Sequence, residues 1–122
     1  MPVRIKAKTK IQTTITPSAL NVETDLINLT DQTDDYIVEG QISLQNMASD
    51  DTVIIRTYIA VDGTNQIKTD EATISGTQPA PVVRIPATTV PANGKFKATI
   101  TQTTGTVKSY PINFIVQIME TI

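Results

Sequence analysis

Three adjacent acid pairs, Asp34-Asp35, Asp50-Asp51 and Asp70-Glu71, and one spaced row of cations, Arg4, Lys6, Lys8 and Lys10, are the side chains of this sequence with chemistry to offer. Paired carboxylates can hold calcium or act as acid and base on a glycosidic bond. Calcium asks for about six to eight oxygens converging from a loop. None of the acidic stretches has the regular ligand spacing, central glycine and distal glutamate of a calcium loop. A structural calcium site, if one is built, has to draw on Asp31, Asp34 and Asp35 or on Asp50 and Asp51. A glycosidase pair needs a cleft and a fixed separation, and neighbours along a strand point to opposite faces. The sequence of 122 residues has no Cys and no His. That removes thiolate nucleophiles, the usual general base near neutral pH and the commonest metal ligands. We assign no catalytic residue and no cofactor, and we expect a protein that is not an enzyme.

The cations invite a different reading. Alternate residues on a strand lie roughly 6.6–6.8 Å apart, so four on one face could track phosphates. No aromatic residue stands among them for base stacking, and the net charge is −2 with a pI near 4.9. Nucleic acid is therefore not the expected partner. No apolar run has the length of a membrane span, and no membrane partner is expected. Met1-Pro2-Val3-Arg4 does not open as a secretory signal does. Asn28-Leu29-Thr30 fits a glycosylation triplet, which has little weight outside a secreted protein.

Those side chains must be positioned by strands. There are 21 Thr, 17 Ile and 10 Val against 4 Leu and 9 Ala, and β-branched residues favour pleated sheet over helix. Val3, Ile5, Ala7, Thr9, Ile11, Thr13 and Ile15 alternate with Arg4, Lys6, Lys8, Lys10, Gln12 and Thr14, which predicts a long strand with one apolar and one basic, wet face. After Pro17, alternation resumes through Leu20, Val22 and Leu26 and slips at Ile27, as a bulge would make it. Further strands are predicted over Tyr36–Leu44, Thr52–Val61 (central and covered on both faces), Ile67–Ser75 and a short Val82–Ile85. Pro79, Pro81, Pro86 and Pro91 mark that last stretch as a sheet edge or loop. Phe96, Ala98 and Ile100 face inward, and because Gln102, next on that parity, is polar, the buried stretch is expected to end at Ile100. The last strand carries Tyr110, Ile112, Phe114, Val116 and Ile118. Core packing is expected for all three tyrosines and both phenylalanines, with Ile42, Leu44, Ile55, Ile59, Ile100, Ile112, Phe114 and Val116 between two sheets.

About eight mostly antiparallel strands without a linker or repeat make one all-β domain over 1–122, a single β-sandwich. Residues 1–16 form its basic N-terminal strand. Charge is segregated along it: residues 1–22 carry four cations and no acid, and residues 23–55 carry eight acids and no base. The basic strand is thus expected to meet acidic groups of its own chain or of a neighbour, which makes Arg4, Lys6, Lys8 and Lys10 interface candidates.

From about Val38 to Val116, the phrases Gly40-Gln41-Ile42-Ser43-Leu44-Gln45-Asn46-Met47, Asp51-Thr52-Val53-Ile54-Ile55-Arg56 and Val61-Asp62-Gly63 resemble small immunoglobulin-like β-sandwich virion proteins of tailed phages and related archaeal viruses. Ile100-Thr101-Gln102-Thr103, Gly105-Thr106-Val107-Lys108-Ser109 and Tyr110-Pro111 are similar too. The resemblance implies an immunoglobulin-like strand order, a jelly roll being the alternative, and no catalytic residues. It implies a structural subunit of a virus particle, a capsid or capsid-decorating protein located in the virion. Its partners would be copies of itself or an underlying capsid protein, with no small-molecule substrate. Two other roles fit such a sandwich. One is a cell-surface or pilus module, extracellular, assembled by strand pairing. The other is a carbohydrate-binding sandwich, for which the lack of Trp is unfavourable.

Overall fold

The computed structural model describes residues 2–121. Eight strands follow one another: β1 (Val3–Ile15), β2 (Thr24–Leu29), β3 (Tyr36–Ser43), β4 (Thr52–Ala60), β5 (Ile67–Ser75), β6 (Val82–Val90), β7 (Lys95–Thr104) and β8 (Tyr110–Thr121). The pairing has a simple rule. The chain is folded in half at the β4–β5 hairpin, so that β4 pairs with β5, β3 with β6, β2 with β7 and β1 with β8, all antiparallel. This doubled ribbon then wraps on itself, adding the β3–β8 and β4–β7 contacts. The result is two four-stranded sheets, ordered β1-β8-β3-β6 and β2-β7-β4-β5.

That order is a jelly roll. The sandwich is as expected, but the immunoglobulin-like order is not. An immunoglobulin sandwich closes with seven to nine strands split between its sheets in a different sequence. Side-chain alternation is identical in both folds, so periodicity could not separate them.

The core lies between the sheets. Tyr36, Val38, Ile42, Phe114 and Val116 come from one, Val53, Ile55, Phe96 and Ile100 from the other, all buried. Ile59 packs against this cluster while remaining half-buried. Gly40 faces Phe114 across the β3–β8 ladder, and a Cβ there would stand 2.3 Å from the ring. The missing side chain is what lets the ring lie flat on the backbone. β6 runs through Pro86, and its pairing with β3 slips between Val38 and Gly40. The strand therefore continues to Val90 instead of stopping at Ile85, because a bulge on an edge strand removes the need for the missing amide. In β2 the slip falls between Asp25 and Ile27, and both Leu26 and Ile27 are buried.

Two expectations about burial are corrected. The buried stretch does not end at Ile100: Thr101 and Gln102 are buried too, and the ladder runs on to Thr104. Tyr58 is not a core residue: it is half-buried on the outer face of its sheet.

Candidate subunit interface

β1 forms the edge of its sheet and pairs only with β8. Along its thirteen residues only Ile11 and Ile15 are half-buried; the rest are exposed, including Ala7, Thr9 and Thr13 on the core-facing side. The strand thus leaves one hydrogen-bonding edge and most of both faces uncovered. Fixing a residue in one backbone conformation costs roughly 1–2 kcal/mol, and β1 offsets this with a single ladder and two half-buried isoleucines. A long exposed edge of this kind is a template for another chain.

The cations of β1 do not form the single row that alternation predicts. Register shifts between Ile5 and Ala7, which leaves Lys6 without a cross-strand partner. One extra residue flips every side chain before it. Arg4 lies opposite Glu120, on the face shared by Ala7 and Ile118, whereas Ile5 joins Lys8 and Lys10 on the outer face beside Met119, Gln117 and Ile115. Arg4 closes an ion pair with Glu120, Nη2 to Oε1 at 2.6 Å, and Lys6 reaches Asp34 at 3.1 Å. Both are exposed pairs, worth at most about 1 kcal/mol each. Among the described residues Lys8 and Lys10 have no ion-pair partner.

The acids are dispersed. Asp34 and Asp35 precede β3 and Asp50 and Asp51 follow it, so the two pairs sit at opposite ends of the sandwich. Asp31 accepts a hydrogen bond from Thr30, and Asp35 accepts one from the Ala92 amide. Asp70 lies on edge strand β5 beside Glu71. Among the described residues no three carboxylates come together as a metal site would need.

Asp51 has another task. Its carboxylate is fully buried, accepting from the Ala48 amide at 2.8 Å and pairing with the Lys108 ammonium at 2.9 Å. Burial by itself would raise its pKa. The Ala48 amide and the Lys108 ammonium outweigh that and hold it below the ordinary carboxylate value. Gln102 sits beside it with every hydrogen-bonding valence used. Its two Nε2 hydrogens are shared among Thr106 O at 2.8 Å, Thr104 O at 3.0 Å and the longer contact to Asp51 Oδ1 at 3.3 Å; its Oε1 accepts from the Lys108 amide and the Tyr110 hydroxyl. Gly105, at φ +82°, turns the chain over this cluster, and a Cβ there would meet Asp51 Oδ1 at 1.9 Å. The cluster ties the β3–β4 loop to β7 and the β7–β8 loop. Its partners are up to 57 residues apart in sequence (Asp51 and Lys108), so no local pattern signals it.

A second network covers the outer face of the β2-β7-β4-β5 sheet. Glu23 accepts hydrogen bonds from the Tyr58 hydroxyl and, at 2.6 Å, from Thr99, while Arg56 donates to Glu71 at 2.6 Å and to Thr101 at 3.3 Å. Lys97 stands 4.6 Å above the Tyr58 ring. Burial would raise the Glu23 carboxyl, but Thr99, Tyr58 and Arg56 bring it below its ordinary value. These groups satisfy one another, so the face is a closed polar surface and not an open binding site.

No protein-family model matches this sequence, and no curated protein matches it. Solved structures do share its fold. One, described as Bacillus endospore appendages that form a family of disulfide-linked pili, superposes with a TM-score of 0.56 at 12% identity, over 92% of this chain and 87% of that one. A structure of infectious bursal disease virus, Gx strain, gives 0.57 at 13% identity, over 95% of this chain and 32% of that one. The VP2 subviral particle of the same virus gives 0.50 at 13% identity, over 95% and 33%. This chain therefore spans about a third of the viral chains and most of the appendage chain. At such identities the likeness is one of fold.

Proposed function

We propose that the chain is a non-enzymatic structural subunit of a virus particle, a capsid or capsid-decorating protein of the kind its phrases resemble, acting through protein–protein contacts. The observation that carries this reading is β1: a thirteen-residue edge strand with most of both faces exposed and one edge open. Such a strand serves a protein whose work is to be paired. The fold shared with infectious bursal disease virus structures supports it. The partners are copies of this chain or an underlying capsid protein, and the four cations Arg4, Lys6, Lys8 and Lys10 lie at that contact. Lys8 and Lys10, without an ion-pair partner among the described residues, stand on the outer face of β1, where an underlying capsid protein would present acidic groups.

A second reading is an extracellular appendage subunit. It is favoured by the likeness to the endospore appendage structure, which spans 87% of that chain. Those pili are disulfide-linked, and this chain has no Cys, so its copies would have to join by non-covalent pairing.

Mass spectrometry of purified virus particles and of sheared surface appendages from the source tests both readings. Recovery in particles at stoichiometric abundance is the expected result. Recovery in appendages alone selects the second reading, and absence from both rejects the structural role.

A further inference from the structure

We infer that β1 pairs with β1 of a second copy, antiparallel across a two-fold axis at Ile11, joining two four-stranded sheets into one of eight strands. This rests on the reading of the chain as an assembling subunit and names the partner of its open edge.

The free edges of the sandwich are not equivalent. On β6, Pro86 and the slip beside it interrupt the edge. β2 has six residues and is broken between Asp25 and Ile27. The β5 register shifts opposite Thr57 and Tyr58, and its edge carries Lys68, Asp70 and Glu71. β1 alone offers nine consecutive residues in unbroken register, Ala7 to Ile15, bounded by the bulge at Lys6 on one side and Thr16-Pro17 on the other.

Charge selects the register within that segment. With Ile11 on the axis, Ala7 lies opposite Ile15, Thr9 opposite Thr13 and Ile11 opposite Ile11 on the core-facing side. On the outer side Lys8 lies opposite Thr14 and Lys10 opposite Gln12. No cation faces a cation, and the half-buried Ile11 and Ile15 gain apolar neighbours. Moving the axis one residue toward the N-terminus sets Lys10 against Lys10, and a step further sets Lys8 against Lys10. Like charges directly opposite destabilise a ladder. A half-step, which offsets the pairing by one residue, sets Ile11 against Lys10 or Gln12 and turns the two sandwiches to opposite sides of the joint sheet. The register at Ile11 is the longest that uses the whole regular segment and avoids both faults. It is isologous and closes on itself, so it makes a dimer and not a fibre.

Nine residues a side is well below the roughly 20–30 of a standard interface. The pairing is therefore weak alone and depends on concentration, as suits a contact repeated in an assembly.

Because the chain has no Cys, one introduced thiol reports register without ambiguity. The full chain carrying Ile11→Cys, Thr13→Cys, or Thr73→Cys on the far edge is oxidised at high protein concentration, as is a mixture of Thr9→Cys with Thr13→Cys. Ile11→Cys should give covalent dimer at least about tenfold faster than Thr13→Cys or Thr73→Cys, since only directly opposed strand positions fall within disulfide reach. The mixture, built on exposed positions that leave the core intact, should give the heterodimer. Equal rates at all sites, or fastest linking of Thr13→Cys to itself, overturns the register. Self-association of the unmodified chain should strengthen by roughly 2–5-fold between low and high salt, because pairing brings the two Lys10 side chains to diagonal positions. Self-association that weakens with salt would mean cations meeting acids. That outcome rejects this pairing while leaving the subunit reading intact.

Discussion

The Tyr110 hydroxyl donates to Gln102 Oε1 at 2.6 Å inside the sandwich, and both side chains are fully buried. Tyr110 opens β8 and Gln102 lies near the end of β7, so this bond closes the last hairpin from within. It also completes the valences of an amide that Asp51 and the β7–β8 loop already share.

Gln102→Leu keeps the volume but strips partners from Asp51, Tyr110, the Lys108 amide and two carbonyls. A buried polar group left unpaired costs about 1–3 kcal/mol, so this substitution should cost at least about 3 kcal/mol. Tyr110→Phe removes one bond and should cost about 1–2 kcal/mol. Urea denaturation ranks the two, and a Gln102→Leu protein as stable as wild type would show that the network carries no stability.

Burial pushes Tyr36 and Tyr110 up to about 12, and burial with the Glu23 hydrogen bond raises Tyr58 as well. A raised folded pKa means stability that is intact below the ordinary tyrosine value near 10 and is lost as pH climbs toward 12. Tyrosinate absorbance should stay low in the folded protein past pH 10 and then appear together with loss of β-sheet circular dichroism. Ionisation of two or more tyrosines near pH 10 with the sheet intact contradicts their burial.

The acid side is set by Asp51, whose carboxyl lies below its ordinary value. Its contribution is present above the unfolded value near 3.8 and disappears as pH falls through the lower folded value. The melting temperature should therefore fall steeply below about pH 4, and Asp51→Asn, less stable at neutral pH, should show a flatter fall. Parallel curves for the two proteins would assign acid sensitivity to other carboxylates, such as Glu23.

Gly40→Ala drives a methyl group into the Phe114 ring and should cost about 1–3 kcal/mol, as over-packing does. Phe114→Ala should cost about 3–5 kcal/mol through the cavity it leaves. The double variant should be more stable than the sum of the two losses predicts, since the ring that clashes is gone. Strict additivity in a double-mutant cycle would mean the two do not share that space.

Lys8→Glu with Lys10→Glu changes exposed side chains that have no ion-pair partner among the described residues. Stability should stay within about 0.5 kcal/mol, while attachment to the particle or appendage weakens and loses its salt dependence. Unchanged attachment rejects these lysines as contact residues. Removing residues 1–12 extends the test: a folded remainder identifies β1 as an arm, and an unfolded one assigns it to the core.

Much of the fold was legible because alternation is a local signal. Val3–Ile15 and Ile67–Ser75 were bounded correctly, and the slip at Ile27 did mark a bulge. Strand order was not legible, since the same alternating strands can be wound as a jelly roll or an immunoglobulin sandwich. The bulge at Lys6 also escaped notice, for the sequence alternates without interruption across it, and the break comes from pairing with β8. Gln102 and Tyr58 were misread for one reason: a polar atom's burial depends on partners far along the chain, Asp51 and Glu23, that no periodicity reveals.

The folding of the chain in half orders events in time. The β4–β5 hairpin joins neighbours and can form within microseconds. The ladder from Ile15 to Tyr110 must close a loop of roughly ninety-five residues, a cost that slows sheets built from distant strands. On the ribosome β1 emerges long before β8 exists. Throughout that interval both of its edges are free, so the ladder that fixes β1 in the sandwich is the one the chain must wait longest to build.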